Sequence, residues 1–336
     1  MLPLRTKGDP YMKHQSLNRR EAAAFIAGSA LAFGAHAQER YPSRSLTMVV
    51  PFAAGNVTDA IARMLAERLA VALGQPVVID NKPGASGGVG MSALGRAAPD
   101  GYTFGMSSIG PMALNPALYS KLPYDPAKGF NVLSVVYRGP ILILVDSSSP
   151  WKTLQDLVKA AQQQQVDYAS PGAGSSQHLT GELFARITRT QLMHVPNRGS
   201  GQAATLLLGK HVPVLFEVTS VGTPYIKQGQ MRALAITSGQ RHPALPDVPT
   251  VKESGFPDFA TEGWLALVAP AGIPDAVRDR LAAETRKVMA QPDVRAFITG
   301  QGAFPEAMTP EQSTTYVQAE TARWGELIRS AGIKLD

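Results

Sequence analysis

Residues 48–66 read MVVPFAAGNVTDAIARMLA. An apolar run, Met48–Val50, meets Pro51, passes through the small residues after Phe52, and enters a helical pattern at Thr58-Asp59. Ile61, Leu65, Leu69 and Leu73 follow at i, i+4 spacing, which gives a helix one buried face, and Gly74 supplies a stop. Strand, tight turn and helix in this order aim the unpaired N–H groups of the helix start at whatever lies beyond the strand. Phosphate, carboxylate and no ligand at all are the three alternatives. The Lys and glycine spacing of a phosphate cradle is missing here, so phosphate drops out.

The same alternation continues along most of the chain. Leu46–Val50, Val77–Asp80, Tyr102–Met106, Val132–Tyr137 and Ile141–Val145 read as strands, with helices over Asp59–Leu73 and Val89–Ala98. A second set follows, with strands at Val166–Ser170, Gln191–Val195, Val212–Phe216 and Met231–Thr237. Its helices are Thr153–Gln164, Ser176–Arg189, Ala203–Leu208 and Ser220–Gln228. A strand over Gly263–Ala269 and two long amphipathic helices, Asp275–Ala290 and Pro310–Ala331, close the chain. Strands alternating with helices of this length imply an α/β fold of parallel-rich sheets covered by helices. We expect two α/β lobes joined by two chain crossings, near Leu142–Ser147 and Thr261–Leu265. Residues 38–143 and 262–336 then form lobe 1, and residues 144–261 form lobe 2.

The 336 residues suffice for two domains, and 44% apolar with 17% charged residues is ordinary globular composition. Residues 1–37 read as a signal peptide: Arg19-Arg20, the apolar stretch Ala22–Ala35, then Ala35-His36-Ala37 as a cleavage site. That stretch is short of the ~20 residues a membrane span needs. The residues after the arginine pair favour Sec over Tat export, and either Met1 or Met12 serves as the start. Removing 1–37 lowers the net charge from +6 to +3 and leaves no basic run, so a nucleic-acid partner is not expected. With no cysteine, the chain has no disulfide, no thiol catalysis and no lipobox, which places the exported protein free in the periplasm rather than on a lipid anchor.

Catalytic signatures are missing as well. H-E-x-x-H and G-x-S-x-G do not occur, and the histidines His178, His194, His211 and His242 form no i, i+4 pair. Gly88-Val-Gly90-Met-Ser-Ala93 matches G-x-G-x-x-A, but Pro83–Gly88 separates it from the preceding strand, so we read it as close packing at a helix start. What remains is a set of small, hydroxyl-rich loops after strands: Ala53–Thr58, Ser107–Gly110, Ser170–His178, Pro196–Ser200 and Val218–Ser220. Ligands of open α/β sheets sit beyond the carboxyl ends of the strands, where helix N-termini favour anions. Asp59 would repel an anion, so its expected role is capping its own helix.

The residues also resemble a known family. Tyr41-Pro-Ser-Arg-Ser-Leu-Thr-Met-Val-Val-Pro-Phe52 looks like the mature start of the Bug/TctC receptors of tripartite tricarboxylate transporters. Leu73-Gly-Gln-Pro-Val-Val-Ile-Asp-Asn-Lys-Pro-Gly84, Ala97-Ala-Pro-Asp-Gly-Tyr-Thr103 and Pro243-Ala-Leu-Pro-Asp-Val-Pro-Thr-Val-Lys-Glu-Ser-Gly255 extend it. The resemblance implies a two-lobed periplasmic binding protein of type II, with a ligand cleft between the lobes and no chemistry done. It implies a small carboxylate held by backbone amides and hydroxyls, at the first strand–helix turn and its counterpart in the second lobe.

Position by position, Pro51, Phe52, Gly55, Thr58 and Asp59 fit the family's first turn, while Asn56 and Val57 depart from it. Ser170, Gly172, Gly174, Ser175 and His178 fit the second-lobe motif. His194-Val-Pro-Asn197-Arg198-Gly and Phe216-Glu217-Val218 replace more usual H-V-P-Y-[KR]-G and F-D-N. These departures imply a ligand outside the family's commonest set. The expected ligand-binding residues are Phe52, Ala54, Gly55, Asn56, Val57 and Thr58 from the first turn, then Ser107 and Ser108. From the second lobe they are Ser170, Gly174, Ser175, Ser176, His178, Asn197, Arg198 and Glu217. His178 is expected to pack or orient its loop, and Arg198 either pairs with a carboxylate or sits on the rim. No catalytic residue, metal or cofactor is expected. The protein is expected to act as a monomer that delivers its ligand to membrane transporter subunits, with a sensor kinase accessory or an exported hydrolase as the alternatives.

Overall fold

The computed structural model describes residues 41–335, so the signal peptide, its arginine pair and the choice of start lie outside the described residues. Strand β1 (Leu46–Val50) runs into Pro51, and helix α1 (Val57–Leu73) starts where the sequence pattern places it. Asn56 takes extended backbone and its side chain accepts the Asp59 N–H, an N-cap. Gly74 stops the helix in a left-handed conformation (φ 73°), returning its N–H to Ala70 O. Ile61, Leu65 and Leu69 are fully buried, so the i, i+4 row is the packed face.

The chain continues through β2 (Val77–Asn81), α2 (Gly88–Gly95) and β3 (Thr103–Ser108). A π-helical turn over Gly110–Leu114 leads into α3 (Asn115–Leu118). Gly90 packs where a Cβ would lie 2.6 Å from Pro51 Cα, the close approach expected of the G-x-G at this helix start.

Strand β4 (Phe130–Asp146) corrects one expectation. The two strands read at Val132–Tyr137 and Ile141–Val145 are a single strand of 17 residues that runs through Gly139-Pro140. A proline removes one donor from a ladder, and here it stands where the ladder changes partners. Phe130–Pro140 pairs antiparallel with β9 (Glu262–Pro270), whereas Ile141–Leu144 pairs with β7 (Val214–Val218) and Leu142–Asp146 with β8 (Met231–Ile236).

Between β4 and β9 come α4 (Leu154–Gln163), β5 (Val166–Ser170), α5 (Ser176–Thr188), β6 (Leu192–Pro196), α6 (Ser200–Leu208) and, between β7 and β8, α7 (Thr219–Lys227). After β9 follow α8 (Asp275–Met289), α9 (Pro292–Gly300), the short β10 (Phe304–Pro305) and α10 (Pro310–Ser330). Helix α9 has no counterpart in the sequence reading; it buries only Val294 and Ile298, too narrow a face to set up a period. The strand order is β2-β1-β3-β9-β4-β7-β5-β6, with β8 and β10 also on β4. Parallel pairs occupy both ends of the sheet: β1 with β2 and β3, β5 with β6 and β7. The antiparallel strands β4 and β9 join them.

Both faces are covered, which explains the near-continuous apolar run Ile141–Val145. Ile141, Ile143 and Val145 pack with Leu154, Leu157 and Phe184, while Leu142 and Leu144 pack on the other face with Ala203 and Leu207. Around β3, β4 and β9, Val317, Trp324, Leu327 and Ile328 of α10 pack with Met112, Leu118, Val135 and Trp264. Helix α10 therefore covers the half of the sheet that begins with β1.

Candidate functional site

The first strand–helix turn is stitched to its neighbour strand. Asp59 Oδ2 accepts the Gly55 N–H at 2.9 Å and Arg63 Nε at 2.9 Å, and Oδ1 accepts Asn81 Nδ2 at 2.9 Å. Asn81 Nδ2 also donates to Phe52 O. Burial alone would raise the Asp59 carboxyl, but the bonds from Arg63, Gly55 and Asn81 outweigh it and hold the pKa at about 2. Gly55 adopts φ 89°, a backbone that L side chains rarely take. The turn is a rigid piece whose one acid is neutralised locally.

The loop after β5 is the most heavily braced segment of the site. Ser175 is the N-cap of α5, accepting the His178 N–H at 3.2 Å, while its hydroxyl donates to Gly172 O at 2.7 Å. Gly174, at φ 72°, donates its N–H to His178 Nδ1 at 3.0 Å. The His178 ring stacks on His194 with centroids 3.8 Å apart, and Ser170 Oγ and His194 Nε2 are hydrogen-bonded at 2.7 Å. Burial, helped by the neighbouring His194, lowers His178 to about 3, and burial lowers His194 to about 4. Both rings are neutral, and His178 acts as an acceptor at Nδ1.

A cavity of about 390 Å³ opens between the carboxyl ends of β1 and β3 on one side and of β5 on the other. Of the residues expected to bind ligand, Phe52, Ser108, Gly174, Ser175 and Ser176 line it. The remaining expected residues stand outside that lining. Ala54, Gly55 and Asn56 are exposed on the first turn, Val57 and Thr58 open α1, and Ser107 is buried within β3. Ser170 and His178 brace the loop from beneath. Asn197 Nδ2 donates to Ser170 O and Val195 O, tying the end of β6 to β5. Arg198 is exposed, its backbone N–H bound to Gln202 Oε1. Glu217 is fully buried, with Oε1 accepting from Gln177 Nε2 at 3.1 Å and from the Val218 N–H at 2.8 Å. Burial pushes the Glu217 carboxyl up, against the bonds from Val218, Ser200 and Gln177.

Other lining residues were missed by the sequence reading. Gln177 follows Ser176 in the first turn of α5 and was within reach of the same reasoning. Asn115 and Leu114 belong to the helix after β3, and Leu335 comes from the segment after α10. None of the described residues lining the cavity is charged. The N–H groups of Ser176 and Gln177, first in α5, have no partner inside the helix and carry its positive end. The cavity thus offers neutral donors and an apolar wall. Two larger hollows, about 700 and 730 Å³, border α10. The first contains Arg278, already paired with Asp275 and Asp279, and the second is edged by Glu306 and Glu311, so neither offers a free cation to an acid. Among the described residues no cluster of His, Asp and Glu is grouped to hold a metal, and no helix is long and apolar enough to cross a membrane.

This architecture is that of periplasmic solute-binding proteins. A protein of R. palustris solved with adipate is 34% identical and superimposes with a TM-score of 0.77, over 88% of this chain and 100% of that one. MatC from Rhodopseudomonas palustris, solved with bound malate, is 32% identical with a TM-score of 0.71, over 86% and 100%. BugT of Bordetella pertussis is 34% identical over 93% of this chain and 96% of its own. The profile of the TctC family, described as tripartite tricarboxylate transporter family receptor, matches residues 61–333. The chain belongs to this family, one of solute-binding receptors rather than enzymes.

Proposed function

We propose that the protein captures a small organic carboxylate in the cavity at the N-terminus of α5 and delivers it to the membrane subunits of a tripartite tricarboxylate-type transporter. The observation that carries this reading is the braced loop Ser170–Ser175, which sets the first residues of α5, Ser176 and Gln177, in the lining of a cavity that also holds serine hydroxyls and the Asn115 amide. The adipate and malate found in the two relatives are acids of the same class and support it.

In this reading residues 38–143 with 262–336 are one lobe and 144–261 the other. They move about the point where β4 changes partners at Pro140 and Ile141, beside the start of β9 at Glu262. Helix-terminal amides hold the carboxylate, and the protein works as an exported monomer of the periplasm. Closure of the lobes supplies bonds from the first turn, where Gly55, Asn56, Val57 and Thr58 approach the acid.

A thermal-shift screen of di- and tricarboxylates, aromatic acids and acidic amino acids tests it. A ligand that binds only the folded state raises the melting temperature with concentration; at a hundred times Kd the stabilisation is about 2.7 kcal/mol. The expected outcome is a saturable rise with at least one acid. A flat response across the panel by cooperatively folded protein contradicts the proposal.

A further inference from the structure

We propose that Leu335, in the segment that follows α10, is a specificity-determining residue of the cleft, and that it selects for acids with a hydrocarbon body of limited length. The inference rests on the carboxylate reading of the site and goes further, to the part of the ligand that is not the carboxylate.

Leu335 lines the same cavity as Ser176 and Gln177. Its backbone N–H donates to Leu118 O at 3.0 Å, which fixes the residue against the end of α3. Its side chain packs with the apolar cluster around Met112, Leu118 and Trp324. It also reaches the opposite wall: a Cβ placed on Gly174 would lie 2.5 Å from Leu335 Cδ1 and 3.2 Å from Leu118 Cδ1. One side chain therefore touches the helix after β3 and the loop after β5 that leads into α5.

The chemistry of the lining divides accordingly. Ser175, Ser176 and Gln177 stand at the start of α5, whereas Leu335, Leu114, Ile109 and Pro111 offer hydrocarbon, with the hydroxyls of Ser86 and Ser108 on their side of the cavity. Among the described lining residues no side chain is charged, so none of them would pair with a cationic group on a ligand. The amide of Asn115, the polar side chain nearest in sequence to Leu114, is already donating to Ser86 O and Tyr124 Oη. A ligand whose carboxylate sits at α5 has its methylenes against this apolar wall, and Leu335 sets how many fit.

The test is isothermal titration of straight-chain dicarboxylates of increasing length against the wild type, Leu335→Val and Leu335→Ala. Burying a methylene is worth about fourfold in affinity. The wild type is expected to prefer one length. Leu335→Val should move that preference partway toward longer acids, and Leu335→Ala further, while the best wild-type acid loses about fourfold or more. Wild-type binding with an unchanged length preference in both variants overturns the role of Leu335 and leaves the carboxylate reading standing. Failure of the wild type to bind any acid overturns both.

The seat of Leu335 is checked without ligand by a double-mutant cycle in urea with Gly174→Ala and Leu335→Ala. Gly174→Ala should cost less in the Leu335→Ala background, because the clash with Cδ1 is gone. Strictly additive effects would place Leu335 elsewhere and contradict the proposal.

Discussion

At the scale of single residues, His178 and His194 tie the loop after β5 to pH. His178 Nδ1 accepts from Gly174, its Nε2 lies 3.7 Å from Glu182 Oε1, and its face is on His194, which in turn meets Ser170 Oγ and the Tyr168 ring. A proton on Nδ1 would turn an acceptor into a donor pointed at another N–H. Folded-state pKa values of about 3 and 4, below the usual 6.5, mean the unfolded chain binds more protons between these limits. Stability is therefore fully present above pH 6.5 and falls as pH drops toward 4, by up to about 1.4 kcal/mol per pH unit for each ring. Asp59 adds its own loss only below its ordinary value of 3.8, as pH approaches 2. Urea unfolding from pH 8 to 4.5 measures this: His178→Gln should be less stable than wild type at pH 8 and show a shallower acid loss. An identical slope in the variant would mean His178 is not the group protonated. The sequence pattern puts His178 at this loop, among the expected ligand-binding residues and expected to pack or orient the loop. Its partner at Nδ1 was not legible, because a hydrogen bond to a backbone N–H depends on the left-handed turn at Gly174.

At the scale of elements, the braced start of α5 is the part to which the proposed function assigns the carboxylate. Ser175→Ala removes the cap on His178 N–H and the bond to Gly172 O. The expected cost is about 1 kcal/mol of stability, together with weaker carboxylate binding because the loop no longer fixes Ser176 and Gln177. Urea denaturation and titration of the same variant measure the two effects; unchanged affinity beside lowered stability would separate the cap from the ligand. Hydroxyl-rich loops between strand and helix were readable in the sequence, and so was the helix that follows, because both depend on neighbours within a few residues. The continuity of β4 was not. Gly139-Pro140 looks like a break until β9, whose first residue is Glu262, supplies the ladder on one side and β7 takes over on the other.

For the whole molecule, the alternation of strands and helices specified the layered fold, and the covered faces of Ile141–Val145 account for its apolar run. The lining of the candidate cavity was legible only in part. Residues at strand ends could be named from the order of elements, but the wall formed by Leu114 and Leu335 joins segments far apart in sequence and belongs to no motif. The first-turn residues Asn56 and Val57, expected to depart from the family pattern, stand outside the cavity lining, with Asn56 taken up in capping α1. The proposed function requires a cleft that recognises an acid with no cationic side chain among its described lining residues. Isothermal titration at neutral pH of the dicarboxylates and of their dimethyl esters tests this most directly. One-to-one, saturable binding of at least one diacid and none of its ester is expected, because helix-terminal amides discriminate on the negative charge. Equal binding of diacid and ester, or no binding of any acid by protein that unfolds cooperatively, would contradict it.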